Sequence, residues 1–129
     1  MNKIYMLIWI SLGGVCGTIL RFLITILIEQ NRTTNFPIGT FIINLTGCLV
    51  FGFVSELAST TTIIKPEVKL GLTTGFAGAF TTFSTLIFEN YQLSKDAQFA
   101  LALLYTALSI IVGAIFLYSG ILLARYISK

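Results

Sequence analysis

The residues that could act on a small ligand lie in two apolar runs. One is Asn44, in the stretch Phe36-Pro37-Ile38-Gly39-Thr40-Phe41-Ile42-Ile43-Asn44-Leu45-Thr46-Gly47-Cys48. Pro37 suits a helix start, because its missing N–H is an orphan there anyway. Asn44 then falls about two turns inside the helix. Its amide must find partners or stand unsatisfied in an apolar medium. It is either glue between helices or a donor lining a polar path, and the residues alone leave both open. Gly47 and Cys48 share its face, so that side of the helix reads as open and uncrowded. The other run, Gly71 to Thr85, holds Gly71, Gly75 and Gly78 with Thr73, Thr74, Thr81, Thr82, Ser84 and Thr85. Glycine and threonine are weak helix formers, so a local break is expected around Gly78 to Thr82. Carbonyls freed at such a break can hold a cation, and freed N–H groups an anion. Phe76, Phe80 and Phe83 interleave with the hydroxyls, where contact with lipid or core is their ordinary use.

The elements that position these residues follow from composition. The chain has 129 residues, no histidine, 10% charged residues and a mean hydropathy of +0.93. A soluble domain carries about 25% charge, and a small fold is mostly surface, so a water-soluble monomer is excluded. The missing histidine removes the commonest general base and metal ligand. No residue is placed for acid–base or nucleophilic chemistry, and no phosphate-binding loop is present, so the reading is not an enzyme. The basic residues are scattered, which excludes a nucleic-acid face.

Short charged clusters divide the chain into four apolar stretches, at about 4–28, 38–57, 70–89 and 98–124. A helix needs about 20 residues to cross a bilayer. Residues 1–129 therefore read as one all-α domain of four transmembrane helices. The first stretch is long, carries Arg21 and is followed by three more, so it reads as a span and not a signal peptide. Cys16 and Cys48 read as free thiols filling space. With the N-terminus inside, Lys3, Lys65, Lys69, Arg125 and Lys129 share one side, against Arg32 and Lys95 with Arg21 nearby. The positive-inside rule then favours a cytoplasmic N-terminus by a modest margin. Four helices enclose little polar path, so a partner is expected. Small residues recur on single faces: Gly13, Gly17 and Arg21; Tyr105, Ser109 and Gly113; Thr106, Gly113 and Gly120. Such faces mark close helix packing.

Taken in order, three motifs resemble the Fluc (CrcB) family of fluoride channels over essentially the whole chain. They are Gly13-Gly14 through Gly17 to Arg21, then Pro37-x-Gly-Thr with Asn44 and Gly47, then Gly75-Phe76-Ala77-Gly78-Ala79-Phe80-Thr81-Thr82-Phe83-Ser84-Thr85. The resemblance implies a passive fluoride-selective channel of the bacterial plasma membrane that exports cytoplasmic fluoride and gives fluoride resistance. It implies an antiparallel, dual-topology dimer with a third helix broken near its middle. It places a structural Na+ at the dimer centre on the backbone carbonyls of Gly78 and Thr81. Asn44, Phe83, Tyr105, Ser109, Thr82 and Thr85 would line the fluoride path. Arg21 and Glu89 would stand at the vestibule, Glu89 at the end of the third helix.

Two positions depart from the family pattern. Leu86 occupies the place of a second pore phenylalanine, and Gly113 that of a further hydroxyl. Leu86 keeps a second arrangement open: a heterodimer in which this chain is a non-conducting or partly conducting partner. A small proton-coupled drug exporter is the other alternative. It needs a carboxylate embedded in the membrane, whereas Glu56 and Glu89 read as lying near span ends. The residues otherwise suit a small, strongly hydrated anion. Amide and hydroxyl donors can replace its water, and the positive edge of the Phe83 ring can touch it.

Overall fold

A computed structural model describes residues 3–30 and 33–129. Arg32, counted in the charge asymmetry above, lies outside the described residues. The chain is all helical, and four of its helical stretches are long and apolar enough to cross a membrane. It is a multi-pass membrane protein.

Helix α1 (Lys3–Glu29) is a continuous, mostly apolar helix that carries Arg21 and has one buried residue, Gly17. Helix α2 (Ile38–Thr60) begins directly after Pro37. It stops at Thr61, which turns extended while its N–H and hydroxyl both donate to the Leu57 carbonyl, at 3.1 and 2.7 Å. The third span, Pro66–Lys95, is composite. It comprises α3 (Pro66–Leu70), a π-helical turn (Gly71–Ala77), α4 (Gly78–Phe80) and α5 (Phe83–Lys95). Thr81 and Thr82 adopt extended backbone with ψ of 158° and 111°, so the helix breaks at 81–82. The break falls where the glycine and threonine content led us to expect it. The π turn before it was not foreseen. A short reversal through Ala97, which has φ 59°, leads into α6 (Phe99–Ile127).

Two seams hold the spans together, and glycine permits both. Along α2 and α6, a Cβ on Gly52 would overlap the Leu117 carbonyl, and one on Gly120 the Leu49 carbonyl. Along α1, a Cβ on Gly13 or Gly17 would overlap the carbonyl of Gly71 or Phe76. Van der Waals contact is the main attraction between helices in lipid, and it grows as backbones approach. Gly14, beside Gly13, has nothing within 4 Å. The α2 face that carries Gly47 is not open as expected, because Gly47 lies against Thr81 Cγ2 and a Cβ would overlap it.

The apolar core near the break joins Leu86, Leu93, Ala102 and Tyr105, with Phe36, Phe41 and Leu101 packed on it. Leu86 and Leu93 are two turns apart on α5, so this packing carries the helix beyond the apolar stretch to Lys95. Glu89 is therefore inside a helix and not at its end, which corrects the sequence reading.

Candidate functional site

Asn44 faces the break. Its Oδ1 accepts from the Thr82 N–H at 2.8 Å, and its Nδ2 donates to the Thr82 carbonyl at 3.2 Å. One side-chain amide thus engages both backbone polar groups of Thr82. The carbonyl also starts α5, whereas the N–H has left the helix before the break, in a medium where an unsatisfied group costs several kcal/mol. This is the interhelical role named for Asn44. The second Nδ2 hydrogen remains as a donor. Because Thr82 N–H turns to Asn44, the Gly78 carbonyl loses the donor that a continuing helix would give it. That carbonyl and the Thr81 carbonyl are hard oxygen ligands beside a shallow groove lined by Gly47, Cys48, Phe51, Ala77, Gly78, Thr81 and Leu117. The donor set fits a monovalent cation in kind, and one chain supplies two of the oxygens needed.

Below the break, Thr82 caps α5. Its hydroxyl accepts from Thr85 N–H at 3.3 Å and pairs with the Thr85 hydroxyl at 2.8 Å. The first residues of α5 leave N–H groups pointing into the gap, the positive end of the helix. The gap therefore joins a carbonyl end, suited to a cation, to an N–H end, suited to an anion.

A second cluster lies one turn further along α5, where Glu89 follows Thr85 by four residues. Glu89 accepts from the Thr40 hydroxyl through Oε1 and from the Tyr105 hydroxyl through Oε2, both at 2.7 Å. Tyr105 is fully buried and Thr40 nearly so. Three helices, α2, α5 and α6, meet on this carboxylate. The sequence reading missed Thr40, although its place four residues before Asn44 puts both on one face of α2. A cavity of about 670 Å³ opens alongside. Thr85, Phe88 and Glu89 line its floor, and Asn35, Gln92, Lys95 and Asp96 are among its other lining residues. Thr85 thus touches both the cavity and the Thr82 hydroxyl, and Glu89 both the cavity and Tyr105.

The other expected residues stand apart. Ser109 Oγ is buried with no hydrogen-bond partner. Its neighbour Thr106 differs, donating to the Ala102 carbonyl and to Asn90 Oδ1. Phe83 is 76% exposed, so its ring projects away from the protomer's own core. Arg21 forms no ion pair among the described residues, where Arg125 and Glu56 form the one salt bridge. Leu86 is buried to 7% exposure in the core with Leu93, Ala102 and Tyr105.

Four spans with a polar site built around a mid-span break define a helical membrane protein with a polar centre. Comparison with known proteins narrows this. The family model described as CrcB-like protein, Camphor Resistance (CrcB), matches residues 8–121, and the chain belongs to that family. It is 44% identical over 116 residues to a fluoride-specific ion channel FluC of Chlorobaculum tepidum, covering 90% of this chain and 91% of that protein. A protein of the same name from Chlorobium phaeobacteroides is 41% identical over 125 residues, 97% and 96% of the two chains. FluC 1 of Moorella thermoacetica is 42% identical over 118 residues, 92% and 84% of the two.

Proposed function

We propose that this chain is a fluoride-selective passive channel and not an enzyme, working in the bacterial cell membrane to export cytoplasmic fluoride. The observation that carries the reading is its likeness, over nine-tenths of its length, to relatives named fluoride-specific ion channels. The site chemistry supports it. Fluoride gives up strongly held water, and the spare Asn44 N–H, the Ser109 hydroxyl and the hydroxyls of Thr82 and Thr85 can replace that water. The ring edge of Phe83 is a further positive contact. Several weak sites in series let an ion enter and leave.

The working unit in this reading is an antiparallel dimer. The exposed Phe83 ring and the two carbonyls of Gly78 and Thr81 are what one chain would contribute to a shared centre. Those four oxygens from two chains would hold Na+, whose charge lowers the cost of an anion nearby. A sodium-dependent rise in unfolding temperature, absent in choline, tests that part.

The decisive measurement is ion efflux from liposomes containing the purified protein, read with fluoride and chloride electrodes. Fast fluoride efflux with negligible chloride efflux is expected, and no fluoride efflux under any condition overturns the reading. A heterodimeric arrangement is favoured by one observation, the burial of Leu86 in its own protomer's core. It predicts no efflux from this chain alone and efflux on addition of a second homologous subunit. The drug exporter is set aside by family membership. The position of its carboxylates no longer argues against it, since Glu89 lies inside a span.

A further inference from the structure

The π turn Gly71–Ala77 ends directly before Gly78. Gly78 N–H reaches the Thr73 carbonyl, five residues back, as well as that of Gly75. An α-helix joins residues four apart, so this turn carries one residue more than an α-turn. Each residue of an α-helix rotates the chain by about 100°. Everything after Ala77 is therefore set back by about one residue's rotation relative to an unbroken α-helix of the same sequence. What comes after is α4 and the break, where Thr82 must meet Asn44 on α2.

Helix α1 packs closely along the turn and past it. A Cβ on Gly13 would overlap the Gly71 carbonyl oxygen and stand 2.8 Å from Phe76 N. Those two groups face each other only across an i→i+5 turn. A Cβ on Gly17 would overlap the Phe76 carbonyl and stand 3.1 Å from Phe80 N. Thr74, in the middle of the turn, is exposed. The third span thus answers to two partners at once, α1 along the turn and α4, and α2 at the break.

We infer that the π turn is a phase corrector for the pore. It absorbs one residue so that the α1-facing glycines and the Asn44-facing break are aligned together. An unbroken helix of this sequence would rotate Gly78, Thr81 and Thr82 out of place. The alignment is a matter of geometry, while its effect on conduction rests on the fluoride-channel reading.

The test compares two single-residue deletions of equal length. Deleting Thr74 removes the residue that the turn absorbs, leaving Gly71 and Phe76 four apart as in an ordinary α-helix. Fluoride efflux within about threefold of wild type is expected, with selectivity over chloride kept and thermal stability unchanged or raised. Deleting Ala79, between the turn and the break, misaligns Thr82 with Asn44. Efflux is then expected to fall at least about tenfold and the unfolding temperature to drop by roughly 5 °C or more. Failure of the Thr74 deletion to fold or conduct overturns the inference, and so does an Ala79 deletion that behaves as wild type. If the wild type carries no fluoride, the channel reading fails by itself. The order of the two unfolding temperatures then still decides the alignment: Thr74 deletion above Ala79 deletion upholds it, and the reverse overturns it.

Discussion

Helix α6 and the third span are nearly equal in length, 29 and 30 residues, yet one is continuous and the other changes geometry twice. The difference lies in what reaches their backbones. Hydroxyls donate to carbonyls four residues back in both, from Thr106 and Ser119 in α6 and from Thr73 and Thr81 in the third span. In the third span, three glycines and a run of threonines weaken the helix until a side chain from another helix can compete for its backbone. Asn44 is that side chain. A polar residue in a membrane helix is thus harmless when it serves its own backbone and disruptive when it serves a neighbour's. Ser109 differs again, since its buried hydroxyl has no hydrogen-bond partner.

Substitutions can break this contrast or sharpen it. The largest effect is expected from Asn44→Asp. A carboxylate cannot donate to the Thr82 carbonyl, and it places an unpaired negative charge at the break. Such a charge costs about 3–5 kcal/mol. Fluoride efflux should fall by roughly two orders of magnitude or more, measured with an electrode in liposomes. Normal conduction in this variant would remove Asn44 from the pore even with the family assignment intact. Gly120→Ala acts on the regular side of the comparison. Its methyl meets the Leu49 carbonyl, and overpacking of this kind costs about 1–3 kcal/mol. The unfolding temperature in detergent should drop, while efflux per folded protein and selectivity stay unchanged.

Tyr105→Phe removes one of the two hydroxyls on Glu89 and leaves the ring in the core. A loss of about 1–2 kcal/mol in stability is expected, together with slower fluoride efflux. An unchanged rate would place the Glu89 cluster outside the conducting path. The smallest effect belongs to Ala97→Gly. A non-glycine residue at φ 59° is strained, so glycine should stabilise the α5–α6 reversal by up to about 1 kcal/mol, seen as a slightly higher unfolding temperature.

Much of this architecture is legible in the residues. Charge clusters mark the four spans because ionised groups are excluded from hydrocarbon. The break is legible because glycine and threonine accumulate there. The pairing of Asn44 with Thr82 is not, since two elements 38 residues apart must be brought together before it exists. The π turn is hidden for a related reason. Nothing within Gly71–Ala77 asks for an extra residue until α1 and α2 both lay claim to the span. Glu89 was misplaced because the apolar stretch ends before the helix does. Leu93 and Asn90 extend α5 through contacts with α6 that hydropathy does not register.

The double hydrogen bond from Asn44 also bears on how the protein is made. Thr82 has no partner for its N–H within the third span, and in lipid it cannot borrow one from water. During synthesis the second span emerges first and carries the amide with it. The third span can adopt its broken form only once the second is already beside it. Until then the threonine run has to stay as plain helix or remain in a wet environment. The break is therefore a product of helix association in the membrane, and any change that delays the meeting of α2 with the third span should leave the chain inserted, helical and closed.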